Sequence, residues 1–245
     1  MISNKDAKFI KSLQLKKYRA KEGAFLVEGE KNLLELLASD LSIRQLYVTP
    51  AFSEAHSTPL VSTAYEPATE RELTKVGTFQ SNNAGLAVAE IPRHALLNVN
   101  SGFYLAFDNL QDPGNLGTII RTADWYGFTD IVCSLDSVDA YNPKVVNATM
   151  GSFARVRVHY VDLHSLLSAA NTPVYGASLS GSNLHEQTFG NDGIMVFGNE
   201  SQGIRPELTK LISHQIKIPG YGGAESLNVA VSTAVVCDNL RRLIR

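Results

Sequence analysis

The chain reads as an α/β protein of two domains, and three observations carry that reading. Short β-branched and aromatic runs alternate with amphipathic helical stretches along all 245 residues. A break of mixed polarity, 91–102 (Ile-Pro-Arg-His-Ala-Leu-Leu-Asn-Val-Asn-Ser-Gly), has no clean period and interrupts the alternation near residue 100. Three polar, glycine-bearing blocks lie beyond the break, each directly after a short apolar run, as loops do when they leave the end of a buried strand. These features divide the chain into a domain over residues 1–92 and a second over 102–245. Three such loops in one sheet suggest a single composite ligand site.

The elements follow in order. Residues 4 to 15 read as a helix, with Phe9, Ile10, Leu13 and Leu15 set among lysines. Ala24 to Val27 reads as a strand, Glu30 to Ala38 as a leucine-rich helix, Ile43 to Val48 as a strand, Thr69 to Val76 as a helix and Gly85 to Ala89 as a strand. The second domain restarts with a strand from Phe103 to Phe107 and a helix from about Leu116 to Tyr126, for which Asn115 can act as cap and Gly127 as left-handed C-terminal cap. Strands are expected at Asp130 to Ser134, Val174 to Ala177, Ile194 to Phe197 and Gln215 to Ile218. A final helix spans Leu227 to Ile244, with Ser226 placed to cap it. Its start is apolar nearly all round (Val229, Val231, Ala234, Val235, Val236) and its end basic (Arg241, Arg242, Arg245). A helix apolar on every side must be covered on every side, so a second copy of the chain is the simplest partner.

Composition narrows the function. An apolar fraction of 44% suits a globular protein with a real core and argues against disorder. No apolar run approaches a membrane span, and the lysine-rich start has no apolar signal core, so a cytoplasmic protein is expected. Cys133 and Cys237 are isolated, without metal-ligand or disulfide spacing; both are expected reduced and buried, and no metal site is expected. The net charge of −2 speaks against nucleic-acid binding by bulk electrostatics. Its distribution is uneven, however. Residues 1 to 31 hold Lys5, Lys8, Lys11, Lys16, Lys17, Arg19, Lys21 and Lys31 against Asp6, Glu22, Glu28 and Glu30. Such a patch either meets phosphates or merely solvates a helix face.

The first block is Asp108-Asn-Leu-Gln-Asp-Pro-Gly-Asn-Leu-Gly-Thr-Ile-Ile-Arg-Thr-Ala-Asp124. Gly114 and Gly117 flank a helix start, where backbone amides favour an anion. Neither GxxxxGK[ST] nor GxGxxG is present, which weakens a P-loop or dinucleotide reading. Arg121 sits among apolar residues, so it either snorkels to a surface or is held for a purpose. The second block, Phe197-Gly-Asn-Glu-Ser-Gln-Gly-Ile204, puts Glu200 in a turn after a buried strand, as a surface carboxylate or as the partner of an arginine. The third, Ile218-Pro-Gly-Tyr-Gly-Gly-Ala-Glu-Ser-Leu-Asn-Val-Ala230, has the look of a flexible or tightly turned loop, in which capping alone would explain Ser226.

Together, in this order and spacing, the blocks resemble the SpoU or TrmH family of the SPOUT superfamily. Asn115, Gly117, Arg121, Thr122 and Ala123 match its Asn-x-(Gly/Ser)-x-x-x-Arg-(Thr/Ser)-Ala element; Gly198, Asn199, Glu200 and Gly203 match Gly-Asn-Glu-x-x-Gly; and Ile218, Pro219, Ser226, Leu227, Asn228 and Val229 match Ile-Pro…Ser-Leu-Asn-Val. The stretch Asp136 to Gly151, with Tyr141-Asn-Pro-Lys-Val-Val and Ala148-Thr-Met-Gly, is also similar. Lys16-Lys-Tyr-Arg19 and Phe25-Leu-Val-Glu-Gly29 resemble the small ribosomal-protein-like substrate-binding domain that precedes the catalytic domain in many members.

The resemblance implies a trefoil-knotted parallel α/β sheet in the second domain, a homodimer, and S-adenosyl-L-methionine (AdoMet) as cofactor. It implies methyl transfer to a ribose 2'-hydroxyl of RNA, preferably ribosomal over transfer RNA. Arg121, Asn115, Glu200, Ser226 and Asn228 would be the catalytic set. Ala177, Ser178, Leu179, Gly198, Asn199, Glu200, Gly203, Ile218, Leu227 and Asn228 would hold the cofactor. Gly220 and Tyr221 stand where many relatives have a methionine-containing turn. The rivals are an RNA-binding protein that has lost turnover and a nucleotide-dependent metabolic enzyme.

Overall fold

The computed structural model describes residues 1–95 and 97–243. The described chain divides into two compact units, one of Met1–Arg93 with Asp139–Arg155, the other of His94–Val138 with Val156–Arg245.

The first unit is built on a four-stranded sheet of β1 (Ala24–Glu28), β2 (Ile43–Val48), β3 (Glu66–Pro67) and β4 (Gly85–Glu90), in the order β1-β4-β2-β3. β4 runs antiparallel to β1 and β2, while β3 is parallel to β2. β1 is buried along its whole length because both faces of the sheet are covered. Phe25 and Val27 turn to one side, with Leu33, Leu36, Leu46, Val48, Ala87 and Ala89; Ala24 and Leu26 turn to the other, with Ile10, Leu13, Tyr47, Leu73, Val76, Leu86 and Val88. Two-sided burial explains why these strands read as unbroken apolar runs. A Cβ at Gly85 would lie 2.5 Å from the Tyr47 carbonyl oxygen, so only glycine lets β4 approach β2 there.

Helices Glu30–Leu37 and Glu70–Val76 stand where the sequence places them, the latter started by a Thr69/Glu72 capping box. The helix expected over 4 to 15 ends at Ser12, and a second helix, Lys16–Glu22, follows after exposed Leu15. Arg19 explains the break. Its guanidinium is buried, donates to the carbonyls of Leu13 and Gln14 at 2.9 Å each, and thereby satisfies groups released by the first helix end. It also pairs with Asp139 at 2.6 Å. Arg19 therefore leaves the basic patch.

Asp139–Arg155 lies with the first unit although it falls between strands of the second. Helix Pro143–Thr149 and the 3₁₀ turn Ser152–Ala154 supply Val146 and Phe153 to the core that contains Phe25 and Leu36. Phe25 makes ring contacts with Tyr141 and Phe153 at 4.7 and 5.9 Å between centroids.

The second unit carries six parallel strands: β5 (Phe103–Phe107), β6 (Asp130–Ser134), β7 (Arg157–Val161), β8 (Val174–Asn183), β9 (Gly193–Phe197) and β10 (His214–Lys217). Their order is β10-β8-β9-β5-β6-β7. From β5 the chain steps outward through β6 to β7, then returns to the other side, so β5 and β9 flank the point where the order reverses. Open α/β sheets bind ligands at this place, beyond the carboxyl ends of the strands.

β8 is longer than the expected Val174 to Ala177. Gly176 pairs with Gln215, but the next residue of β10, Ile216, pairs with Ser182, so the intervening residues of β8 bulge out of register. The site loop expected after Ala177 is this bulge within an extended strand. Helix Pro113–Trp125 starts earlier than expected because Asp112, and not Asn115, is its cap, accepting from the Asn115 N–H at 2.7 Å. Gly127 (φ +70°) follows its end in the left-handed region, as expected. The last helix, Val229–Leu243, begins after Asn228, whose side chain accepts from the N–H groups of Ala230 and Val231; Ser226 is not its cap. Ile244 and Arg245 lie outside the described residues. Cys133 and Cys237 are free and buried, and burial pushes both thiols up to about 12.

Candidate functional site

The site is built on the loops that leave β5, β9 and β10. One hydrogen-bonded chain joins them. The Asn115 amide nitrogen donates to Glu200 Oε1 at 2.8 Å, and the Asn228 amide nitrogen donates to Asn115 Oδ1 at 2.9 Å. Each polar block of the sequence contributes one member. A carboxylate accepts hydrogen bonds and does not donate them, so Asn115 must turn its nitrogen to Glu200 and its oxygen to Asn228. Asn228 must then offer its nitrogen, which leaves its oxygen for the first amides of the last helix, as observed. Both amide orientations are fixed by the network.

The turn after β9 is closed on itself. Asn199 and Gly203 exchange backbone hydrogen bonds of 3.0 and 2.9 Å, and a Cβ on Gly198 would meet the Gly203 carbonyl carbon at 2.1 Å. Gly203 has φ +70°, and Gly198 admits no side chain at all. Asn199 caps the turn internally by accepting from the Ser201 and Gln202 amides, and donates its nitrogen to the Asn109 carbonyl at 2.8 Å. The turn thus presents Glu200 toward Asn115 on a rigid frame.

Apolar surface lies open at the same edge of the sheet. Leu179 in the β8 bulge is 68% exposed and Leu227 50%, while Ile218 is half-buried at the end of β10. Ala177 and Ser178 are half-buried, and Ser226 is exposed. Beside Gly220, Gly222 and Gly223 a built Cβ would meet nothing within 4 Å, so this loop is open on the outside. Exposed leucines on a polar loop edge are surface that a ligand would cover.

Arg121 stands apart from the hydrogen-bonded chain. Six residues beyond Asn115, it lies about 9 Å along the helix and roughly 120° around it. Its side chain is exposed and makes no hydrogen bond or ion pair among the described residues. Ser226 likewise joins none of these contacts. Asn115, Glu200 and Asn228 are brought together; Arg121 and Ser226 are not.

The sequence reading passed over the partner pair behind the turn. Asp108, 1% exposed at the end of β5, accepts from the Arg205 backbone N–H at 2.9 Å and from Arg205 Nε at 2.7 Å. Arg205 also reaches Asp136 at 3.2 Å. The hydrogen bond to Asp108 raises the Arg205 guanidinium further above its ordinary value, so its charge is permanent. The available signal was an aspartate directly after an apolar strand and an arginine directly after the second block.

Known proteins carry the same arrangement of domains. Residues 102–238 match the SpoU rRNA Methylase family, and residues 4–87 match the MRM3-like substrate binding domain. The chain is 32% identical over 244 residues to the 23S rRNA (guanosine(2553)-2'-O)-methyltransferase RlmP of Bacillus subtilis, covering 97% of this chain and 96% of that one. A TrmH-family structure from Porphyromonas gingivalis superposes with a TM-score of 0.89 at 38% identity, covering 99% of both chains. An AdoMet-bound rRNA methyltransferase from Sinorhizobium meliloti superposes with a TM-score of 0.87 at 26% identity, covering 99% of this chain and 96% of that one. With the motif blocks gathered at one sheet edge and the match spanning more than half its length, this chain belongs to the SpoU rRNA methylase family.

Proposed function

We propose that this protein transfers the methyl group of AdoMet to a ribose 2'-hydroxyl of large-subunit ribosomal RNA. The observation that carries the reading is the Glu200–Asn115–Asn228 chain, which ties all three motif blocks together at the switch point of a parallel sheet. The named activity of the Bacillus subtilis relative, similar over nearly its whole length, supports the substrate.

The residues fit the cofactor. Leu179, Ile218 and Leu227 offer apolar walls for an adenine, and Ala177, Ser178, Gly198, Asn199, Gly203 and Asn228 offer backbone and amide groups for its polar edges. Bound there, AdoMet supplies a methyl group already activated by a positive sulfonium, so the chemistry asks for no metal.

The chain's own residues then handle the hydroxyl. A ribose hydroxyl is a poor nucleophile at neutral pH, and its developing alkoxide needs stabilisation. Arg121 brings a guanidinium, a reluctant base and a permanent cation. It orients the hydroxyl and stabilises the oxyanion, while an RNA phosphate or water takes the proton. Its exposure suits a group that waits for RNA. Asn115 has both ends of its amide engaged and holds Glu200 and Asn228 in place; Ser226 positions the substrate from the third loop.

The remaining expectations belong to this reading. Residues 1–92 bind RNA and 102–245 form a trefoil-knotted methyltransferase domain. The protein works as a cytoplasmic homodimer; Trp125, 84% exposed, and exposed Val231 on the two helices beside the site support a covering partner.

The test is methyl transfer from labelled AdoMet to unmodified ribosomal and transfer RNA, with wild type and Arg121→Ala side by side. Label on a ribose 2'-oxygen of ribosomal RNA, lost in the variant, is expected. Label confined to transfer RNA overturns the substrate, and undiminished transfer by Arg121→Ala overturns the residue.

A further inference from the structure

We infer that Asp108 and Arg205 form a clasp that sets the position of the cofactor turn, making them positioning residues for AdoMet binding. The inference rests on the proposed activity and extends it to residues outside the three motif elements. Both legs of the turn are fastened to Asp108. Its backbone N–H donates to the Phe197 carbonyl at 2.8 Å, holding the entering leg, and its carboxylate takes the backbone N–H and Nε of Arg205, holding the leaving leg. The next residue, Asn109, receives the Asn199 side chain through its carbonyl. Asn109 sits at φ +54°, a conformation that non-glycine residues adopt rarely, and its N–H is held by Ser134 Oγ at 2.8 Å.

The bonds inside the turn do not by themselves tie it to the first block. The Asn199 and Gly203 bonds close the ring, and the ties to the first block run through Asp108, the Asn109 carbonyl and Asn115. Glu200 touches Asn115 from the exposed side, where water competes for the same groups. The Asp108 carboxylate is fully buried, and its arginine partner delivers two directed bonds from one residue, so the geometry is fixed where solvent does not reach. Arg205 carries a second tie to Asp136, beyond the end of β6, which spreads the clasp over two strands. A carboxylate buried with one cation has no part in the methyl transfer itself; its effect passes through the turn.

The experiment uses the full-length protein and titrates AdoMet by calorimetry, with steady-state transfer to ribosomal RNA alongside. Asp108→Asn keeps the shape and one acceptor while removing the charge. It is expected to weaken AdoMet binding about tenfold and raise its KM equally, with kcat at saturating AdoMet and the KM for RNA within about twofold of wild type. Arg205→Ala should match it, Arg205→Lys should recover part of the loss, and the double variant should be no weaker than either single. Arg205 is partly exposed, so its variants keep the test readable if Asp108→Asn lowers the melting temperature. Unchanged AdoMet affinity in both variants overturns the clasp, as does an equal loss in kcat or in the RNA KM. Failure of the wild type to bind AdoMet would instead overturn the proposed function.

Discussion

The two sheets use similar strands to opposite ends. In the second unit all six strands run parallel, so every carboxyl end lies at one edge and the loops after β5, β9 and β10 gather there. In the first unit β4 runs against both its neighbours while β3 follows β2, so carboxyl ends fall at both edges. Both faces are spent on core. What the mixed sheet offers a partner is the outside of its helices, where Lys8, Lys11, Lys16 and Lys17 are exposed or nearly so. Strand direction thus explains why the second unit gathers all of its strand-end loops at one edge.

The largest effect should come from breaking the first unit's core at a residue the second half of the chain supplies. Phe153→Ala should cost about 3 to 5 kcal/mol, as large aromatic truncations in cores do, read as a fall in the denaturant midpoint. A chain lacking residues 1–92 would strand Val146 and Phe153 without their core and should be recovered aggregated; a soluble, cooperatively melting fragment would refute that. At the loop edge, Arg121→Ala should lower kcat by about 10²-fold or more with AdoMet affinity unchanged. Reversing Lys16 and Lys17 to glutamate should act on the other side of the contrast, raising the KM for RNA about tenfold and flattening its salt dependence while sparing kcat.

The smallest effect is one of pH. His94 lies over His159, with ring centroids 5.6 Å apart, and His159 in turn meets Asp130 at 2.7 Å. Burial, then the charges of His159 and Arg157, lower the His94 pKa below 6.5, against an opposing pull from Asp130. The unfolded chain therefore takes up this proton first. Stability from His94 is present above pH 6.5 and is lost as pH falls toward the folded value. A melting temperature that drops between pH 7 and 5 in wild type, and less so in His94→Asn, would confirm the sign.

The sequence was most legible where one period ran unbroken. β2, β5 and β6 stand where their apolar runs place them, and the Thr69 capping box is visible as Thr-x-x-Glu. Caps were harder. Asp112, Asn115, Ser226 and Asn228 are all capping types, and which one caps depends on where the chain enters the helix. β7 was passed over although Val156, Val158 and Tyr160 alternate with polar residues, the pattern of a half-covered strand. The placement of Asp139–Arg155 in the first unit was beyond the sequence, because an amphipathic helix reads alike whichever core receives it. Within the site, the motif types named Asn115, Glu200 and Asn228, but an ion pair such as Asp108 and Arg205 joins residues almost a hundred positions apart and leaves no local pattern.

The loan of Asp139–Arg155 to the first unit also sets a timetable for synthesis. The first unit's sheet leaves the ribosome with a gap in its core that residues Val146 and Phe153 fill. At ordinary elongation rates those residues follow roughly sixty positions and about 3 to 12 s later. Until then an apolar patch around Phe25 waits uncovered on the nascent chain, a site for a holding chaperone. The first domain to emerge therefore cannot finish folding until part of the second half of the chain has been made.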